Sequence, residues 1–205
     1  MYPTKIVAIL LFILVNQADA IVYELGLNYG YDKSIYGSSR QNSLTTRTYS
    51  MGVALYLFEQ TAIDLNYSEV RDLNISNERV NVASNTDLIM YQTNVQTYVY
   101  GIGLKQQLLP KGAFIIPTIS AGYAKQLVYT QNSYTVENTS SSAQTNYSTA
   151  TSKYQSHSMF GEFTLMFKLT NTFSLKGSVK TLFPAFEFNK AKDSLKYLAG
   201  FSWIF

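Results

Sequence analysis

A two-residue alternation between bulky apolar side chains and small or polar ones recurs along most of this chain. The last segment shows it most clearly, with mostly large apolar side chains at its odd positions: Leu195, Tyr197, Ala199, Phe201, Trp203 and Phe205. Successive side chains of a β-strand point to opposite faces, so this segment predicts a strand with one bulky face. Such a face needs cover, either from a second protein layer in water or from lipid in a membrane.

Seven earlier segments repeat the pattern, and together they predict about eight antiparallel strands. The strands fall at 21–31, 47–57, 61–69, 95–108, 113–129, 155–169, 173–183 and 195–205. Short connections fall at Phe58–Gln60, Pro110–Gly112 and Thr170–Thr172, and long ones near 32–45, 70–94, 130–153 and 184–193. Short turns at one end and long loops at the other are typical of membrane β-barrels. The 130–153 loop is rich in Ser, Thr and Asn, and we expect it to be mobile and solvent-exposed.

The composition excludes several classes of function. The 205 residues include no Cys and a single His, so disulfides, thiolate metal sites and His-based metal clusters are not expected, and no cofactor is indicated. The net charge is only +3 and no basic run is present, so the sequence gives no indication of a nucleic-acid partner. Charged residues make up 14% of the chain, below the roughly 25% of soluble domains.

The first twenty residues have the pattern of a secretory signal peptide. Lys5 supplies a positive start, 6–15 is a short apolar run, and Ala18-Asp19-Ala20 is a small-x-small cleavage site. We therefore predict a signal peptide at 1–20 and a single barrel domain at 21–205, with a non-cleaved anchor as the alternative. The apolar run is shorter than the ~18 residues that a membrane-spanning helix requires.

Two kinds of barrel fit the alternation. A membrane barrel turns its bulky face to lipid, whereas a soluble lipocalin-like barrel turns it inward. The smaller face is rich in Gly, Ala, Ser and Thr, which suits a lumen but is too poor in charge for a soluble exterior. Tyr and Phe crowd the strand ends, as in the aromatic girdles of membrane barrels. The sequence therefore favours an all-β, closed, up-and-down antiparallel transmembrane barrel of about eight strands.

In these features the chain resembles the small eight-stranded barrels of the bacterial outer membrane, the family that includes outer membrane proteins A, X and W. The resemblance covers the whole predicted mature chain as architecture. Its most specific part is the final strand, where Phe201, Trp203 and Phe205 look like the family's assembly signal. The resemblance implies an exported monomer in the bacterial outer membrane, in contact with its lipid and inserted by the barrel-assembly machinery.

The smaller face of the strands also carries charged residues. They are Glu24, Asp64, Glu162, Lys105, Lys168, Lys176, Lys180 and Lys196. An eight-stranded barrel is just wide enough to be filled by side chains, so charges inside it must be paired. Leu169 and Phe173 share a face, so a three-residue turn would place them opposite each other and Glu162 opposite Lys180. We predict an internal salt bridge between Glu162 and Lys180.

Five apolar residues are also predicted to face inward: Val99, Phe160, Met166, Leu182 and Leu198. They could line a hydrophobic pocket like the one associated with outer membrane protein W, but simple filling of the lumen is favoured. Pro117 removes a ladder hydrogen bond, so we expect a bulge there.

A catalytic site is not indicated, because such a site needs a nucleophile within reach of a base. The single His157 faces away from Ser156 and Ser158, and we expect it to be a rim residue. The sequence thus predicts a structural or surface-interaction role through the loops near 70–94 and 130–153. The alternatives are a narrow pore or pocket for uptake of small solutes, hydrophobic ones included, and, more distantly, an enzyme acting on lipid A or phospholipid.

Overall fold

The computed structural model describes residues 22–110 and 112–205. Within these ranges the chain forms ten β-strands and one short 3-10 helix, Phe188–Ser194. The strands are β1 (Val22–Tyr36), β2 (Asn42–Tyr56), β3 (Thr61–Ser76), β4 (Val80–Ala83), β5 (Thr86–Gln107), β6 (Ile115–Asn138), β7 (Gln144–Ser148), β8 (Ser152–Lys168), β9 (Phe173–Pro184) and β10 (Lys196–Ile204). No helix of the described residues is long and apolar enough to cross a membrane. The predicted signal peptide lies outside the described residues.

Eight of the strands close into an antiparallel barrel. They pair in the order β1-β2-β3-β5-β6-β8-β9-β10, and β10 pairs with β1 from Glu24–Ile204 to Tyr29–Ala199. Two backbone hydrogen bonds between Tyr23 and Phe205, with N–O distances of 3.1 and 2.8 Å, extend this seam. The other two strands lie outside the ring, since β4 pairs only with β5 and β7 only with β6. The predicted closed up-and-down barrel is confirmed.

The two faces of the barrel wall differ as the alternation predicts. Bulky apolar side chains cover the outside, and several are more than half exposed, such as Leu104 at 64% and Ile102 at 56%. The lumen face instead buries small and charged side chains, among them Ser202 at 0% and Glu24 at 2%. An apolar exterior around a polar, filled interior is the arrangement of a barrel in lipid, and the lipocalin-like alternative is therefore wrong.

Short turns connect the strands at one end of the barrel. They are 57–60 between β2 and β3, the connection between β5 and β6, of which 108–110 and 112–114 are described, and 169–172 between β8 and β9. The last turn closes as the sequence predicts, because Leu169 N donates to Phe173 O at 3.0 Å. β1 starts and β10 ends at this same short-turn end.

At the opposite end, the predicted long loops are largely strand, which corrects the sequence-based expectation. The 70–94 and 130–153 segments contain β4, β7 and the upper halves of β5 and β6, and the 32–45 segment is a β1–β2 hairpin. Their polar composition favours exposure, but Thr, Tyr and Val also have high β-propensity. Antiparallel pairing satisfies their backbone groups, so these residues form strands without a buried core. The 184–193 segment is the exception among the predicted long loops, because beyond Pro184, the last residue of β9, it forms no strand and much of it is the 3-10 helix.

Pro117 lies within β6 without a bulge, so the predicted bulge is wrong. β6 and β8 keep a continuous register past Pro117, which lies opposite Leu165. On the other side of β6, the β5–β6 ladder ends at the pair Gln107–Thr118, so Pro117 is the first residue of β6 outside that ladder. Pro117 O still accepts a hydrogen bond from Leu108 N at 2.9 Å. The missing N–H therefore falls at the end of the ladder, where it disrupts no pairing.

The barrel wall has unequal height at the long-loop end. β1 continues to Tyr36 although its pairing with β10 stops at Tyr29, and β8 begins at Ser152 although its pairing with β9 starts at Ser158. The β9–β10 pair is thus a low segment between two taller edges.

Candidate functional site

A buried ion cluster fills the lumen near the short-turn end. Both carboxylate oxygens of Glu24 accept hydrogen bonds from Lys105 Nζ at 2.7 Å. Tyr56 OH donates to Glu24 Oε2 at 2.7 Å and accepts from Gln107 Nε2 at 2.6 Å. Lys176 Nζ lies 4.0 Å from Glu24 Oε1. These groups come from β1, β2, β5 and β9, so the cluster ties together strands that are not all neighbours.

A second polar group lies on the lumen faces of β3, β8 and β9. Glu162 stands directly opposite Lys180 in the register, and Lys180 Nζ lies 3.9 Å from Glu162 Oε2. Lys180 Nζ also donates to Asn66 Oδ1 at 3.2 Å. Asn66 Nδ2 in turn donates to Asp64 Oδ2 across a long 3.5 Å. The two groups together contain six of the eight charged residues that the sequence places on the lumen face: Glu24, Asp64, Lys105, Glu162, Lys176 and Lys180.

The apolar residues predicted to face inward occupy the lumen as side-chain packing. Phe160, Val99 and Ala124 form one buried cluster, and Leu182 packs against it. Met166 and Leu198 are buried as well, at 0% and 5% exposure. This packing favours a filled lumen over a hydrophobic pocket.

Two glycines make room for the Phe160 ring. Gly103 and Gly122 lie opposite each other on β5 and β6. A Cβ at Gly122 would come within 2.2 Å of Ile102 O and 2.7 Å of the Phe160 ring. Only the absence of side chains there lets Phe160 lie against the backbone, so the three residues form one packing unit.

Aromatic side chains ring the outside of the barrel at two levels. At the long-loop end the rings pair across strands, with Tyr29 and Tyr49 at 5.3 Å between centroids and Tyr67 and Tyr100 also at 5.3 Å. At the short-turn end, three rings gather outside β9 and β10: Phe173, Phe201 and Trp203, with centroid separations of 4.8 to 6.1 Å. Two girdles around an apolar band mark the two interfaces of a membrane.

The residues singled out as an assembly signal lie on this outer surface. Phe201 and Trp203 belong to the lower girdle, and Phe205 is 74% exposed. None of the three contributes to the lumen, so their placement leaves them available to a partner or to lipid.

His157 lies outside the barrel at the long-loop end. It stacks on Tyr123 at 5.7 Å between centroids, and its Nδ1 hydrogen-bonds the Tyr123 hydroxyl. Ser158 is buried on the opposite face and bonds Gln126 instead. The structure therefore does not bring His157 together with a serine nucleophile.

A protruding ribbon extends the barrel at the long-loop end. It comprises β4, residues 86–90 of β5, residues 133–138 of β6, and β7, paired side by side. Arg79 bridges Asp87 at 3.5 Å and also pairs with Glu137, which links β5 to β6. Exposed apolar side chains lie along its two outer strands: Val80, Val82 and Tyr147. Arg79 and Asp87 are close in the chain, but Glu137 is 58 residues from Arg79, so no local sequence pattern indicates that the three residues meet.

These features define a class: an integral β-barrel of the bacterial outer membrane, with short turns at one end and a protruding ribbon at the other. No protein-family model and no curated protein matches the sequence.

Among solved structures, the chain is similar to the N-terminal β-barrel domain of Pseudomonas aeruginosa OprF, with 14% identity over 92% of this chain and 100% of that one and a TM-score of 0.48. It is also similar to Ail, the attachment invasion locus protein of Yersinia pestis, with 9% identity over 90% and 97% of the two chains and a TM-score of 0.42. Neisserial surface protein A gives 8% identity over 89% and 94% and a TM-score of 0.37.

Proposed function

We propose that this protein is a membrane anchor that presents the protruding ribbon to a macromolecular partner outside the cell. The observation that carries the proposal is strand length. β6 has 24 residues, more than twice the 9–11 that a tilted strand needs to cross a membrane. At about 3.3 Å per residue and a tilt near 45°, it rises roughly 55 Å, against an apolar band of about 25 Å.

The ribbon has two strand edges suited to contact. Both β4 and β7 pair on one side only, and an unpaired edge offers backbone donors and acceptors to another chain. Val80 and Val82 on β4 are each about half exposed, at 49% and 55%. Strand addition at an open edge is a common mode of recognition, with neighbouring side chains supplying specificity.

The lumen supports an anchoring role over transport. Glu24, Lys105 and Phe160 are all under 7% exposed and come from different strands, so packed side chains cross the interior. An open diffusion channel needs a wider barrel than eight strands.

Single-channel recording in planar bilayers separates the two roles. We expect the purified barrel to show no steady conductance, and a steady ohmic conductance would instead favour the transport role.

A trimmed variant tests the ribbon directly. Ser76 pairs with Tyr91, and Thr149 N bonds Asn132 O at 2.8 Å, so both hairpins can be cut at these pairs and rejoined by Asn-Gly turns. Cells displaying the full protein should adhere to a surface coated with extracellular-matrix proteins, and cells displaying the trimmed one should not. Equal adhesion, with both proteins showing heat-dependent gel mobility, would refute a binding role for the ribbon.

We also propose that the barrel-assembly machinery reads the outward aromatic face of β10. Phe201 and Trp203 lie together on that face and outside the lumen, which supports a contact made before the barrel closes.

A further inference from the structure

A second surface feature lies on the outside of the wall, below the protruding ribbon. A groove of about 290 Å³, here called the outer groove, is lined by side chains from β5, from β6 and from the residue that precedes β8: Asn94, Gln96, Tyr98, Tyr129, Gln131 and Thr151. Its walls are amide groups, hydroxyl groups and two tyrosine rings, with no aliphatic side chain among the six. A lipid acyl chain would therefore gain little from entering it.

The polar groups of the outer groove are held in place by their neighbours. Gln96 Nε2 donates to both Glu69 Oε1 and Tyr98 OH, each at 2.7 Å. Arg71 Nε donates to the same Glu69 oxygen at 2.6 Å, which neutralises the carboxylate. This chain of contacts fixes the orientation of the Gln96 amide, and a fixed polar group lowers the ordering cost of binding.

The tyrosines give the outer groove an aromatic wall. Tyr98 and Tyr129 meet edge to face, with centroids 5.9 Å apart and planes at 85°. Lys153 Nζ lies 5.3 Å from the centroid of the Tyr129 ring. The wall thus combines aromatic surface with an exposed cation at its margin.

The outer groove also has a defined height above the lipid. Going up β5, the outward side chains change from Leu104 and Ile102 through Tyr100 to Gln96 and Asn94. Tyr100 belongs to the upper girdle, so the amides begin directly above the membrane interface. A ligand in the groove would sit at the level of the headgroups of the outer leaflet.

We propose that the outer groove binds an anionic oligosaccharide. Amides and phenols both donate and accept hydrogen bonds, as paired sugar hydroxyls require, and the tyrosine rings offer amphipathic contact surface. Lys153 supplies the charge for a phosphate group, while the nearby acid Glu69 is already paired with Arg71. The site is separate from the ribbon, so it does not depend on the partner proposed above. The sugar can come from a glycolipid headgroup of the same membrane or from a free saccharide.

Binding is measured on the full-length refolded barrel in detergent. The first probe is the soluble phosphorylated oligosaccharide obtained by removing the acyl chains from rough lipopolysaccharide, and the second is neutral N-acetylchitotriose. We expect saturation-transfer NMR to show binding of the phosphorylated probe, weakened by about tenfold in Tyr129→Ala and in Gln96→Ala. Lys153→Met should weaken the phosphorylated probe and leave the neutral one unchanged.

Tyr154→Ala is the matched control. Tyr154 is a 55% exposed tyrosine next to Lys153, but it lies on the opposite face of β8. The proposal is supported if Tyr154→Ala binds the phosphorylated probe as well as wild type does and if all four variants, this control included, keep heat-dependent gel mobility. Failure of the wild type to bind either probe, or equal binding by Tyr129→Ala, Gln96→Ala and Tyr154→Ala, overturns it.

Nanodiscs distinguish the two sources of the sugar. If the native ligand is a headgroup, intact rough lipopolysaccharide in the disc should block the soluble probe in the wild type. If the native ligand is a free saccharide, the probe should bind equally with and without that lipid.

Discussion

Replacing Lys105 with Met should destabilise the barrel by about 3 kcal/mol. Lys105 Nζ contacts both oxygens of Glu24 at 2.7 Å, and the side chains of the two residues are 8% and 2% exposed. Removing one partner of such a buried pair typically costs 3–5 kcal/mol, because it leaves an uncompensated charge. Tyr56 still donates to Glu24, and Lys176 Nζ lies 4.0 Å away, so we expect the lower end of that range.

The measurement is reversible urea unfolding of the barrel in lipid vesicles, followed by far-ultraviolet circular dichroism. The double variant Glu24→Gln/Lys105→Met should lose less unfolding free energy than the sum of the losses in the two single variants. Each single substitution leaves the other residue of the pair buried without its partner. Lys125→Met, an exposed lysine on the outside of β6, is the control and should change stability by under about 0.5 kcal/mol. A Lys105→Met barrel as stable as that control would refute the view that this ion pair supports the fold.

Three further substitutions test other parts of the molecule. Lys180→Met should lower the free energy of unfolding by about 1–2 kcal/mol, less than Lys105→Met, because Lys180 Nζ lies 3.9 Å from Glu162 Oε2. An unchanged unfolding free energy in the urea assay would contradict an ion pair at this position. Gly122→Ala should destabilise by about 1–3 kcal/mol through the clash with backbone, whereas Gly177→Ala, with nothing within 4 Å of its Cβ, should be neutral in the same assay. Phe205→Ala should slow appearance of the folded form in a pulse-chase in cells and leave the unfolding midpoint nearly unchanged, since the ring is 74% exposed; normal assembly would contradict the proposed signal.

The fold was predictable from the sequence because a barrel in lipid obeys one simple rule. Alternation places each side chain inside or outside, and Leu104 and Glu24 each lie on the side that parity assigns. Turn length adds the register of neighbouring strands, as at Leu169 and Phe173.

Contacts across the lumen were not predictable in the same way. Glu24 and Lys105 are 81 residues apart and lie on strands that do not pair. The alternation of side chains along each strand places both residues in the lumen. Which lumen residues contact each other depends on the shear of the closed barrel, and no local sequence pattern encodes it.

The long-loop end was misread for a different reason. Composition identified 130–153 as polar and exposed, which describes its surroundings correctly but not its backbone. Every residue of Gln144–Ser148 is exposed, and the segment still forms β7 because pairing with β6 satisfies backbone groups. The outer groove was not predictable from the sequence either, because its lining comes from three separate stretches of the chain, 94–98, 129–131 and Thr151, that only the closed barrel brings together.

The low β9–β10 segment makes one side of the barrel shorter than the others at the long-loop end. The backbones of Gly30–Tyr36 on β1 and 152–157 on β8 rise above it on its two sides, and the short helix Phe188–Ser194 connects β9 to β10. Another protein that diffuses in the plane of the membrane therefore meets extended strands on most sides of the barrel and a lower wall on the β9–β10 side. The direction in which the barrel faces, and not only its position, would then decide which neighbours in a crowded membrane can reach its mouth.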